Sequence, residues 1–301
     1  VVSTFYEVFS CRLIIRESES LSMSLTGYVT ITRPVNAAAA GLAAIVAYLI
    51  ATGTITTAAL LLFAVVTLVT AAGNVINDYF DVEIDRVNRP DRPIPAGLVS
   101  LPAARAYAVT LFLAGILVCL FTNELCIAIA VISSLLLIGY AACLKRTPLL
   151  GNITVSYLAA SMFLFGGALG GLPGLLHVMP FAVMTFFAML ARELVKDAED
   201  VEGDRASGAA TLPIRYGIRA TLFLALFSAL LGVVASLGPY LWWGFWYIYG
   251  ILPVDGIILF ACIKVVRSTT PEEVKTTGAS TLLKAGMFAS LVIFTLSALF
   301  L

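Results

Sequence analysis

Residues 78–86 read DYFDVEIDR and residues 197–205 read DAEDVEGDR. Six of the nine positions coincide (the three Asp, then Val, Glu and the closing Arg) at an offset of 119 residues. Lys145 and Lys264 share that offset. The windows 78–92 and 192–205 together hold 17 of the 36 charged residues, and the chain between them is almost wholly apolar. A duplicated unit is the simplest account of such spacing.

Outward from these windows, the composition defines the solvent. Of 301 residues, 60% are hydrophobic and 12% charged, with a mean hydropathy of +1.01. A water-soluble domain is nearer half apolar and a quarter charged, so the chain is expected to be an integral membrane protein. A spanning helix needs about 20 mostly apolar residues. Nine stretches qualify: 34–52, 58–80, 106–121, 125–143, 153–171, 176–191, 220–238, 241–262 and 283–301. Each charged window leaves an even-numbered span. The repeat therefore predicts spans one to four echoed by five to eight, with the ninth added.

The cations give the orientation. With nine spans and an inside N-terminus, all 18 Lys and Arg fall in inside segments. Positive charge stays on the cytoplasmic face, so the N-terminus and both windows are expected in the cytoplasm and the C-terminus outside. Residues 23–301 read as one transmembrane domain. Residues 1–22 open with Val rather than Met. They read either as an extension before a start at Met23 or as an amphipathic surface segment.

Several functions are excluded early. Eighteen basic and 18 acidic residues cancel, which argues against a nucleic-acid partner. His177 is the sole histidine, so paired-histidine haem ligation, HExxH zinc sites and Ser-His-Asp chemistry are ruled out. The five cysteines form no CxxC pair and read as small buried hydrophobes.

Asp78, Asp81 and Asp85 stand at i, i+3 and i+7, so on one helix they share a face. Asn77, Asp81 and Asp85 make a second row, and Asp197, Asp200 and Asp204 repeat the first. Unpaired carboxylates along one face repel one another, and an all-oxygen set completed by water suits Mg²⁺. A solvated helix end with internal salt bridges would explain one such cluster; two matched copies on one side of a membrane point to a pair of metal sites. Paired metals can clamp a diphosphate and make it a good leaving group. Arg86, Arg89, Arg92, Lys145, Lys196 and Arg205 lie on the same side to share its charge, although each alone could be an interfacial anchor. A diphosphate whose other end is lipid, entering from the bilayer, is a polyprenyl diphosphate.

The run Asn77-Asp78-x-x-Asp81-x-x-x-Asp85 with Asn88-Arg89-Pro90-Asp91-Arg92-Pro93-Ile94-Pro95-Ala96-Gly97 resembles the first signature of the UbiA superfamily of intramembrane prenyltransferases. Lys196 to Arg205, leading to Thr211-Leu212-Pro213-Ile214, resembles the second. Arg33-Pro34-x-Asn36 and the segment Tyr140 to Lys145 also match, so the resemblance covers residues 23–301. It implies an all-α bundle of nine transmembrane helices around a central cavity, capped by the two charged loops. It implies Asn77, Asp81, Asp200 and Asp204 as principal Mg²⁺ ligands, with Asp85 and Asp197 completing two clusters. Arg86, Lys145 and Arg205 would hold the diphosphate, with Arg89 and Lys196 beside them. Asn36 and Tyr140 would line the reaction centre, where Tyr140 could face a developing allylic cation; interfacial anchoring is the other reading of that tyrosine.

For the acceptor, the runs ARELVKDAEDVEGDR, TLPIRYG and NRPDRPIPAG are similar to those of archaeal members that prenylate geranylgeranylglyceryl phosphate. That implies geranylgeranyl transfer to a glycerol hydroxyl in membrane ether-lipid synthesis. An aromatic acceptor such as 4-hydroxybenzoate or another quinone precursor is the alternative within the family. From other classes, a CDP-alcohol-type phosphotransferase should carry a DGxxAR run, which is missing. A divalent-cation transporter should place its carboxylates near mid-membrane, not at helix ends.

Overall fold

The computed structural model describes residues 24–206 and 208–301. The expectations for residues 1–22 and for a start at Met23 lie outside the described residues. Among these residues there are helices and turns and no strand. Nine helices are long and apolar enough to cross a membrane. They are α1 (Pro34–Thr52), α2 (Ala59–Phe80), α3 (Leu101–Cys119), α4 (Glu124–Ala142), α5 (Leu150–Leu169), α6 (Gly171–Glu199), α7 (Ile218–Ser236), α8 (Tyr240–Val265) and α9 (Ala279–Phe300). The core consists of two buried clusters, one mainly from α1–α4 and the other mainly from α5–α9.

Local signals set the boundaries. Pro34 opens α1 at a position where a missing N–H costs nothing, and Gly53 closes it with φ 69°. Asn123 caps α4 by accepting from the Cys126 N–H at 3.0 Å. Ser100 does the same for α3 through the Ala103 N–H. Only Gly170 separates α5 from α6.

The Gly166-Gly167-x-x-Gly170-Gly171 stripe works through close approach. A Cβ on Gly166 would sit 2.3 Å from the Ala44 carbonyl oxygen, and one on Gly167 2.3 Å from Val178. Small residues let helix backbones touch where lipid supplies no hydrophobic drive. The stripe thus draws α5 against both α1 and α6.

Two expectations are corrected. The sixth span was expected over 176–191, but α6 runs from Gly171 to Glu199, because charge ends an apolar window without ending a helix. The first aspartate triad was expected on one continuous helix face. Instead α2 ends at Phe80, Asp81 forms the junction, and a short helix Val82–Asn88 follows. The second motif breaks in the same way, with Asp200 between α6 and Val201–Ala206. The central cavity expected within the bundle is present as two adjoining chambers that share Ala40, Ala159, Met162 and Met189.

Candidate active site

Both motifs meet at one end of the bundle. The chain carries them there on the last turns of α2 and α6, and cross-links hold them together. Lys145, in the short 3-10 turn Leu144–Arg146 after α4, donates to Asp81. The Ala210 N–H donates to the Arg146 carbonyl at 3.0 Å, tying the second charged loop to the same turn.

In the first motif the protein supplies its own counter-charges. Arg33 Nη2 donates to Asp78 at 2.6 Å, and Arg92 Nη1 reaches Asp78 at 3.1 Å and Asp85 at 2.5 Å. Asp78 and Asp85 are buried, and burying a charge is tolerated only when it is paired. Asn77 Nδ2 donates to Asp81 at 2.9 Å. Arg33 sits between the short helix Leu25–Ile31 and α1 with φ 50°. That left-handed conformation is uncommon for a residue with a side chain, and it belongs to the residue that reaches Asp78.

The second motif is held differently. Asn152 on α5 donates to Asp197 at 2.8 Å, and Ser280 on α9 donates to Glu199 at 2.8 Å. Burial, reinforced by the charge of Asp200, raises the Asp204 carboxyl above its ordinary range. A carboxyl raised in this way stands to gain from a cation brought beside it.

Tyr140 joins the polar and apolar parts. It lines a small polar pocket of about 30 Å³ with Lys145, Asn152, Glu193 and Asp197. It also lines the first chamber, about 290 Å³, whose walls include Val65, Ser133 and Phe165. The second chamber, about 410 Å³, lies between α1, α5, α6 and α9. Asn36 opens onto this second chamber and not the first.

The remaining sequence candidates divide by exposure. Arg89, Lys196 and Arg205 are exposed on the rim. Arg86, 61% exposed, pairs with Glu83 at 2.8 Å. Two polar residues are not singled out by the sequence spacing. Asn152 carries no charge, although the 119-residue offset maps Arg33 onto it. Asp255, buried inside α8, accepts from Ser236 of α7 at 2.7 Å; a lone Asp in an apolar run was its signal.

The carboxylates fit a hard divalent cation in donor chemistry, being all oxygen. Among the described residues no three of them converge into a ready coordination group. Mg²⁺ commonly takes only one or two protein carboxylates and fills its remaining positions with water and substrate phosphate, so this donor set suits it.

An acidic, cation-lined mouth over enclosed apolar chambers, within nine apolar helices, defines a polytopic membrane protein built to hold a lipid with a charged head. Residues 27–292 match the UbiA prenyltransferase family, and the chain belongs to that family. It is similar to the digeranylgeranylglyceryl phosphate synthase of Methanoregula boonei, with 60% identity over 279 residues, covering 93% of this chain and 100% of that one. Its fold superposes on a solved structure of a digeranylgeranylglyceryl phosphate synthase with a TM-score of 0.83 at 36% identity, covering 92% of this chain and 99% of that chain. A UbiA homologue from Archaeoglobus fulgidus bound to DMAPP and Mg²⁺ shares the fold at TM-score 0.64 and 18% identity, covering 88% of this chain and 99% of that chain.

Proposed function

We propose that this prenyltransferase moves a geranylgeranyl group from its diphosphate to the free hydroxyl of geranylgeranylglyceryl phosphate, in archaeal ether-lipid synthesis. The observation that carries the reading is Lys145, which bonds Asp81 of the first motif while lining one pocket with Asp197 of the second. A diphosphate placed there lies between both carboxylate sets, with Tyr140 leading to an apolar chamber for its tail. The high identity to synthases of that name supports the acceptor.

Asn77, Asp81 and Asp85 would supply the donors to one Mg²⁺ and Asp197, Asp200 and Asp204 those to a second; the A. fulgidus homologue, bound to DMAPP and Mg²⁺, supports a divalent metal. When bound, these ions would neutralise the diphosphate and improve it as a leaving group. Lys145 would transfer from Asp81 to a diphosphate oxygen, with the rim cations Arg89, Lys196 and Arg205 screening the remainder. Arg86 would join them by releasing Glu83. The allylic C–O bond breaks with its electron pair leaving on diphosphate. The acceptor hydroxyl oxygen then forms the ether bond, and diphosphate takes the proton. Tyr140 would stand beside the allylic carbon, its ring face stabilising the developing positive charge. Preorganised charge supplies the bulk of such catalysis. The cation distribution supports a cytoplasmic mouth, with the C-terminus outside.

The test is a radiolabelled transfer assay with geranylgeranyl diphosphate, with and without Mg²⁺, offering geranylgeranylglyceryl phosphate and 4-hydroxybenzoate in parallel. Mg²⁺-dependent product with the glycerophosphate alone is expected. Product with the aromatic acid alone would keep the mechanism and overturn the acceptor.

A further inference from the structure

The two chambers differ at their polar ends. The first ends at Tyr140, next to Lys145, Glu193 and Asp197. The second touches none of the motif aspartates and instead carries Asn36, Arg192 and Lys284 over walls that are otherwise mainly apolar. Four side chains line both and mark where the two adjoin: Ala40, Ala159, Met162 and Met189. A hole with two cations and an amide at one end and hydrocarbon along its length is complementary to an anionic head on an apolar tail. The tail has room. From Lys284 to Phe294 the α9 wall covers ten residues, or about 15 Å of helix.

Arg192 is the more telling cation. Its Nη1 donates to Glu193, yet its buried Nε has no hydrogen-bond partner among the described residues. A buried donor left unsatisfied costs free energy, and here it belongs to a guanidinium lining an apolar chamber. Lys284 makes no ion pair with a described residue. An interfacial lysine would explain Lys284 alone but not Arg192. Arg192 and Glu193 are neighbours whose side chains line different spaces, the second chamber and the polar pocket. A head bound at Arg192 is thereby held next to the pocket assigned to diphosphate.

We propose that the α1–α6–α9 chamber is the acceptor site, with Arg192 and Lys284 as a phosphate-binding pair that selects a lipid carrying a phosphate monoester. The assignment rests on the prenyl-transfer reading above and specifies what recognises its acceptor. The donor tail then occupies the chamber under Tyr140, and the two tails adjoin at Ala40, Ala159, Met162 and Met189 while their heads meet. Arg192 can place two donors on a phosphate, which a lysine cannot match in geometry.

The test separates donor from acceptor. Arg192→Gln and Lys284→Gln are assayed with geranylgeranyl diphosphate and geranylgeranylglyceryl phosphate in detergent micelles. Each is expected to raise the acceptor KM at least about tenfold, consistent with loss of one charge-assisted bond, while the donor KM stays within twofold. Arg192→Lys should recover part of the loss. Binding of geranylgeranylglyceryl phosphate and of the dephosphorylated geranylgeranylglycerol, measured calorimetrically without donor, gives a second readout. Wild type should prefer the phosphate, and the double variant should bind both alike. Should the Gln variants not fold, Ser290→Phe, which fills the same chamber, must weaken acceptor binding and spare donor binding. Where wild type does use the lipid phosphate, an acceptor KM and phosphate preference unchanged in the Gln variants would overturn this site and leave the proposed reaction standing. A wild type that turns over no lipid phosphate would overturn both.

Discussion

Arg33 and Asn152 occupy equivalent positions in the two halves of the chain, 119 residues apart, and each donates to the first aspartate of its own motif. Arg33 bonds Asp78 at 2.6 Å and Asn152 bonds Asp197 at 2.8 Å, both across 45 residues of sequence. The contact recurs at that offset with its charge changed. Asp81 and Asp200 likewise keep one role, each standing between a long helix and a short one.

From that shared role, Asp81→Ala and Asp200→Ala should each lower prenyl transfer by at least about 100-fold, the scale on which lost transition-state electrostatics is felt. Both should elute from detergent size-exclusion columns as wild type does. Near-normal turnover in either would refute a mechanism using both motifs.

Arg92 and Arg86 offer a contrast in stability. Arg92 is the shared partner of two buried carboxylates, so Arg92→Met should cost about 3 kcal/mol or more, the penalty of stranding buried charge. Arg86 forms an exposed pair, and Arg86→Ala should change stability by no more than about 1 kcal/mol. Thermal unfolding in detergent measures both, and equal losses would contradict the assigned pairings.

Packing of α5 against α1 can be tested at Gly166. Because an added Cβ would meet backbone atoms at under 3 Å, Gly166→Val should destabilise by about 1–3 kcal/mol through overpacking. Gly256 has nothing within 4 Å of an added Cβ, so Gly256→Ala should be neutral or slightly stabilising by helix propensity. Comparable melting temperatures for the two would refute the close approach.

The link between α7 and α8 has its own probe. Tyr247 donates to the Ser236 carbonyl at 2.8 Å while Ser236 donates to Asp255 at 2.7 Å. Tyr247→Phe removes one buried bond and should cost about 1 kcal/mol with transfer activity retained. Loss of activity without loss of stability would give this network a role in turnover.

Much of this architecture was legible in the residues because lipid imposes simple rules. The first span was read at 34–52 and α1 occupies those residues; the ninth was read at 283–301 and α9 is Ala279–Phe300. The sixth was misread because Arg192, Glu193, Lys196 and Asp197 end an apolar run while the backbone hydrogen bonds continue. Spacing at i, i+3 and i+7 placed the aspartates correctly at helix ends but could not reveal the breaks at Asp81 and Asp200. Arg92 was legible as a cation near the motifs, but its bonds to Asp78 and Asp85 were not, because a loop residue obeys no period. Where the two chambers meet depends on how Met162 and Met189 pack, which no one-dimensional pattern records.

Asp78, Asp81 and Asp85 of the first motif are each salt-bridged to Arg33, Arg92 or Lys145, whereas the bond from α5 to Asp197 comes from the uncharged Asn152. Removing Asn152 would therefore take away an anchor and leave the local potential as it was. Removing Arg33 would take away both at once. The two contacts thus separate position from potential, a distinction that a pair of identical anchors could never offer.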